Sequence, residues 1–300
     1  MFKSLLIILV CSLTLVSCKN NAKVNDPALS GLEKEFESNS NEENYNKLVS
    51  KYLEIIQSSE KGKDISEVLL KATQAAVKMK KTDHELLFTN NLVKSYPERA
   101  DSKNNIVRMI ELLRLNNKST TADVLAYSLI KAYPNDPLIS EIKSKLPKTS
   151  TPEDYIMEIG QSIFMDTVKG FDDTKAMAYV DACEAFAMVL PKDPQASEYL
   201  FKAAETSSTL KTFEKSFALY DWIIEKYPNS NKAPVALFMK GFIFDGTLKD
   251  SANAAKYYKE FVSKYPSSPF AKDAQILLSN LGKTDEEVLE SLKNQSNSGK

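Results

Sequence analysis

The chain has 300 residues, 26% of them charged, and a formal net charge of −1. At 43% hydrophobic it is too apolar for intrinsic disorder, and its balanced charge excludes the broad basic face that coats nucleic acid. Eight glycines, one histidine (His84) and three cysteines leave little for a phosphate-cradling loop or a metal site built on His and Cys, so helices are expected, with no metal and no cofactor.

The chain starts with a basic Met1-Phe2-Lys3, then a nearly unbroken apolar run over residues 4–16. That run is shorter than the roughly 20 residues a membrane-spanning helix needs. It closes in Leu15-Val16-Ser17-Cys18, which resembles a bacterial lipobox. The resemblance implies a signal peptide over 1–17, removed before Cys18, and acyl chains on Cys18. Two or three such chains, at about 0.8 kcal/mol per buried CH₂, anchor a protein stably where one does not. Cys11 then leaves with the signal and Cys183 is the one thiol remaining, so no internal disulfide is expected. Lys19 stands where an aspartate marks inner-membrane retention in proteobacterial lipoproteins, which implies the outer membrane. Residues 18–26 read as the lipidated cysteine and a polar tether.

Beyond the tether the chain repeats. Tyr-Pro pairs stand at 96–97, 133–134, 227–228 and 265–266, and a Leu-Pro pair at 190–191, so the prolines are 37, 57, 37 and 38 residues apart. Each follows an apolar stripe: Leu92-Val93, Leu129-Ile130, Phe186-Ala187, Ile223-Ile224, Phe261-Val262. Proline cannot continue a helix and pushes its predecessor out of the α region, so each pair marks the end of the second helix of a helix pair. One period before Pro97, the stripe Leu48, Tyr52, Ile55, Ile56 marks an earlier, degenerate unit. Thr82-x-x-Glu85 and Thr284-x-x-Glu287 read as capping boxes, and Thr151-Pro152 as a cap followed by an N1 proline. The longer interval of 57 leaves room for a third helix over about 137–145 and a linker at 147–151. Residues 286–293 read as an amphipathic terminal helix.

The clearest unit is 233–266. Its first helix carries Gly241, which lets the partner helix approach; Asp245-Gly246 is expected to turn the chain; Ala254, Ala255, Tyr258 and Phe261 face back before Tyr265-Pro266 closes. This pattern resembles the tetratricopeptide repeat, with Gly241, Ala254, Tyr258 and Pro266 in its defining positions. The preceding unit matches less closely, through Ser216, Tyr220 and Pro228. "IIEKYPNSNKAPVAL" and "FVSKYPSSPFAKDAQILL" are similar to envelope repeat lipoproteins, both the coordinator linking Tol-Pal to peptidoglycan synthesis and the helical lipoprotein of the β-barrel assembly machine. The resemblance implies an all-α fold, a right-handed superhelical solenoid of antiparallel helix pairs, whose first helices line a groove for a protein partner.

No residue set asks for catalysis. His84 stands between Asp83 and Glu85 without a nucleophile and reads as an exposed first-turn residue. Cys183 falls where Tyr220 and Tyr258 fall one and two units on, so it reads as a small buried apolar group. Asp172-Asp173 are adjacent and do not face each other; an N-cap is their expected role. Trp222 reads as core. Phosphate-loop, serine-hydrolase, zinc-protease and calcium-loop signatures are missing from the sequence.

The expected organisation is a signal peptide over 1–17, a tether over 18–26, a degenerate repeat array over 27–146, a linker over 147–151 and a tetratricopeptide-like array over 152–300. The expected function is a non-enzymatic scaffold, lipid-anchored in the outer membrane and facing the periplasm, that binds envelope proteins and neither nucleic acid nor metal. Candidate groove residues on first helices are Asn104, Arg108, Glu111, Lys202, Glu205, Lys240 and Asp245. The alternative is a ligand-capture lipoprotein feeding a transporter, which needs exposed aromatic rings where Tyr220, Tyr258 and Phe261 stand.

Overall fold

The computed structural model describes residues 26–59, 63–165, 170–283 and 286–287. The signal peptide, Cys18, most of the tether and nearly all of the expected terminal helix lie outside the described residues. Among those described there are fourteen helices and no strand: α1 (Pro27–Ser38), α2 (Glu42–Ser58), α3 (Ser66–Lys78), α4 (Thr82–Ser95), α5 (Ser102–Leu115), α6 (Ser119–Ala132), α7 (Ile139–Ser144), α8 (Pro152–Ser162), α9 (Asp173–Val189), α10 (Ala196–Thr209), α11 (Phe213–Lys226), α12 (Lys232–Gly246), α13 (Ser251–Lys264) and α14 (Ala271–Asn280). The chain divides into two compact units, Met1–Ala218 and Leu219–Lys300.

Each of the five proline marks ends the second helix of a pair, at α4, α6, α9, α11 and α13. The chemistry of the connector is the same each time. The amides of Tyr96, Tyr133, Leu190, Tyr227 and Tyr265 donate to the carbonyl four residues back at 2.8–2.9 Å. Proline then takes the second place of a turn, where its fixed φ is already correct and its missing N–H leaves no bond unmade. The turn closes on Arg99, Asp136, Asp193, Ser230 or Ser268, whose carbonyl accepts from Ser102, Ile139, Ala196, Ala233 or Ala271 at 3.0–3.2 Å. Those five last residues are all buried, which anchors the start of each following helix.

The turn inside four of the pairs also repeats, and in those four it does so without glycine, whereas the α8–α9 connection carries Gly170 at φ 69°. Lys80, Asn117, Lys211 and Lys249 have φ of 55–58°, each two residues before the second helix starts. In the first three, the next amide (Lys81, Lys118, Thr212) donates to a carbonyl five residues back at 2.8–2.9 Å, which terminates the helix with a left-handed residue. Gly246, expected to turn the chain, is instead the last residue of α12, and the turn falls beyond it, at Lys249. A non-glycine residue there costs roughly 1 kcal/mol, so Lys80→Gly is expected to stabilise the fold by about 0.5–1 kcal/mol. A thermal midpoint that fails to rise would refute this account of the turn.

In the first unit, helices pack neighbour to neighbour from α1 to α6, and α9 packs on both α8 and α10. The apolar core of α1–α4 is built on Phe36, Tyr45, Leu48, Tyr52, Leu69, Phe88 and Leu92. The expected third helix is present as α7. The residues read as a linker, 147–151, lie inside the first unit, where α6 packs against α8 and α9 beyond them. The Tyr127 hydroxyl donates to the Lys148 carbonyl at 2.7 Å, and Lys131 pairs with Asp193 at 2.8 Å and with Glu153, so these residues bind the two stretches together.

Of the four expected caps, that at Thr284 lies outside the described residues, two of the other three form and one does not. Thr151 accepts from the Asp154 amide at 3.1 Å, with Pro152 at N1, and Asp172 accepts from the Thr174 and Lys175 amides at 3.0 and 3.1 Å. The Thr82 box does not form: Lys81 is the N-cap of α4 and Thr82 is already helical. Its Glu85 is buried and holds Arg108 on α5 with two bonds, 2.6 and 3.1 Å long. A charge-assisted fork to arginine outweighs a single capping bond.

In the second unit, α13 packs on α12 and α14 around Leu237, Ala254, Tyr258, Phe261 and Ala274. A methyl group at Gly241 would lie 2.7 and 2.8 Å from ring carbons of Tyr258, so this glycine permits the close helix approach. Cys183 in the first unit and Trp222 in the second are buried, as their helical positions imply.

Candidate functional site

The seven candidate groove residues have different surroundings. On α5, Asn104, Arg108 and Glu111 are exposed and share one face at i, i+4 and i+7. Arg108 is committed to Glu85 and also bonds Glu111 at 3.0 Å. On α10, Lys202 and Glu205 are exposed, with Lys202 4.0 Å from Glu198 and over the Tyr199 ring at 5.9 Å. Asp245 is half-buried and accepts from the Tyr258 hydroxyl at 3.4 Å.

Lys240 is a correction. It is 4% exposed, its ammonium 2.6 Å from Asp221 and 4.4 Å above the Tyr257 ring. The helix phase explains this. Lys240 precedes Gly241, the point of closest approach to α13, so its stem is enclosed against Tyr257. A buried cation requires such a partner.

Sequence reasoning passed over the feature that α12 does expose. Phe238 is anchored in the core, edge-on to Phe261 at 5.5 Å and 5.9 Å from Tyr258. Phe242, one turn on, stacks on it at 6.3 Å with a 22° interplanar angle, and Phe270 from the N-cap of α14 stacks on it at 5.4 Å and 25°. The outer rings are open to solvent, Phe242 by 48% and Phe270 by 37%, and Ile276 on α14 is exposed nearby in sequence. Together they form a short phenylalanine ladder with one rooted rung and two open ones. Its signal in the sequence is the i, i+4 spacing of Phe238 and Phe242, set beside Gly241, which fixes the inward side of α12.

The rings whose exposure the ligand-capture alternative needs, Tyr220, Tyr258 and Phe261, are fully buried. His84 is also a correction to the exposed reading. It is half-buried, with Nδ1 2.7 Å from the Tyr45 hydroxyl and its ring stacked on Tyr45 at 5.8 Å. Burial pushes the Cys183 thiol far above its ordinary range, as expected of a packing cysteine rather than a nucleophile.

A second charged cluster lies in the first unit. Glu184 on α9, Lys94 on α4 and Lys215 on α11 meet there, with Lys94 3.5 Å from Glu184 and Lys215 in direct contact with it. Asp181, one turn earlier on α9, pairs with Lys118 at 3.3 Å. Burial pushes Glu184 toward protonation, but the two lysines outweigh it and hold the carboxyl below the usual range.

Residues 235–268, from α12 through the closing turn after α13, match the tetratricopeptide repeat family. No curated protein matches the chain. With its helix pairs packed neighbour to neighbour, the protein is an all-α, tetratricopeptide-like repeat protein of the kind that binds other proteins.

Proposed function

We propose that this chain is a lipid-anchored, non-catalytic scaffold of the bacterial cell envelope that docks a partner protein on its tetratricopeptide-like repeat. The observation that carries the docking half is the phenylalanine ladder on α12 and α14. An open aromatic face on the one repeat that matches the family is the kind of surface that anchors a binding partner. The anchoring half rests on Leu15-Val16-Ser17-Cys18. No described helix is long and apolar enough to cross a membrane. An outer-membrane, periplasm-facing place in an assembly, division or secretion complex is the finer reading. The burial of Tyr220, Tyr258 and Phe261 weighs against ligand capture for a transporter.

Two measurements test this. Cys18→Ala should move the protein from the membrane fraction to the soluble fraction; continued membrane partition would remove Cys18 as the anchor. Phe242→Ala should leave folding stability within about 0.5 kcal/mol of wild type, because the ring is half in solvent. It should weaken capture of a crosslinked envelope partner by roughly tenfold or more, about 1.4 kcal/mol or above. Unchanged capture would clear the ladder of any role in docking.

A further inference from the structure

We infer that His84 and Tyr45 form a proton-sensitive latch between α4 and α2, which holds the first two helix hairpins closed at neutral pH and loosens them in acid. The Tyr45 ring is wholly buried, packed 6.0 Å from Phe36 of α1 and stacked on His84, which in turn lies 6.2 Å from Phe88. The Tyr45 hydroxyl has one hydrogen-bond partner among the described residues, Nδ1 of His84 at 2.7 Å. A buried hydroxyl proton needs an acceptor, so Tyr45 donates and Nδ1 accepts, with the histidine's own proton on Nε2.

Protonation breaks this arrangement by stoichiometry. A proton on Nδ1 turns the acceptor into a donor, and two donors then face each other. The hydroxyl can rotate to accept, but its proton is then left in an apolar enclosure. The new imidazolium must also be held in a half-buried site. The charged groups around it are Asp83 and Lys81 on α4 and its N-cap, and Glu42 at the start of α2. Lys81 and Glu42 are already paired at 2.8 Å. From α3, Lys78 is engaged over the Phe36 ring at 5.2 Å. Glu85, next to His84, is committed to Arg108. Burial is the largest influence and lowers the imidazole's proton affinity; Asp83 and Glu42 oppose it and Lys81 adds to it, and the net direction is down.

The sign follows from that direction. A histidine that resists protonation in the fold and not in the open chain contributes stability above about pH 6.5, and that stability is lost as the pH falls below it. The loss is confined to the hairpins that the pair joins, α1–α2 and α3–α4.

His84 is the only histidine in the chain, so an imidazole spectrum has a single reporter. The test uses the full chain without a histidine tag, carrying isotope-labelled histidine and followed by NMR, together with amide exchange corrected for intrinsic rate. The expected result is a midpoint below the ordinary value of about 6.5. Amide protection in α2 and α4 should fall several-fold between pH 7.5 and pH 5, while α12 and α13 stay constant. Tyr45→Phe, which keeps the ring and removes the donor, should move the midpoint upward. A wild-type midpoint at or above the ordinary value overturns the proposal. So does α2–α4 protection that ignores pH, or acid loosening of equal size in His84→Phe.

Discussion

Gly241→Ala is expected to destabilise the second compact unit by about 2 kcal/mol, a large effect for one methyl group. The new carbon would sit 2.7 and 2.8 Å from Tyr258, closer than packed carbons tolerate. The ring cannot swing away cheaply. It is fully buried against Phe238, and its hydroxyl reaches Asp245. Trp222, the only tryptophan, lies in this unit, so denaturant unfolding followed by its fluorescence reads the change directly. The double variant Gly241→Ala with Tyr258→Leu should be less unstable than the two losses added, because the leucine vacates the space the methyl needs. Strict additivity would mean that the strain lies elsewhere.

Glu184→Gln is expected to cost the first unit about 3 kcal/mol. The side chains of Glu184 and Lys215 are only 13% and 12% exposed, and their contact is supplemented by Lys94. Removing the carboxylate takes from two enclosed ammonium groups the counter-charge they share, and such a loss is far more costly than the pair's net worth. A contrast on the same face calibrates this. Lys118→Ala breaks the pair with Asp181, where Lys118 is 42% exposed, and should cost under about 1 kcal/mol. Denaturation of both variants would decide the matter; equal losses would show that burial is irrelevant here. Acid supplies a second readout. Glu184 is held below the usual carboxylate range, so its contribution is present above about pH 4.3 and lost as the pH falls below it. Glu184→Gln should flatten that limb of the stability profile.

Much of the fold was legible because it rests on neighbours in sequence. A proline four residues after an apolar stripe ends a helix wherever it occurs, and all five marks do so. Asp172 and Thr151 cap because their oxygens reach amides two or three residues on. The buried fate of Cys183 follows from its register with Tyr220 and Tyr258.

The candidate site was legible only in part. Helix phase is uncertain by a residue or two in a sequence, and one residue turns a side chain by about 100°. That is enough to place Lys240 under Tyr257 instead of in solvent, and it decides that Phe242 stands half open to solvent. The left-handed turns at Lys80, Asn117, Lys211 and Lys249 gave no glycine signal, because lysine and asparagine occupy them at a tolerable strain.

The sequence by itself therefore determined the helix pairs, their period, their connectors and the close approach at Gly241. These depend on bonds and clashes within a few residues or within one repeat. Tertiary structure alone decided the partners of the charges. Glu85 left its cap for Arg108, 23 positions on; Glu184 gathered Lys94 and Lys215 from two other helices; His84 found Tyr45 across a hairpin. Such pairings are chosen by which surfaces desolvate together, and that is settled only when the helices have stacked.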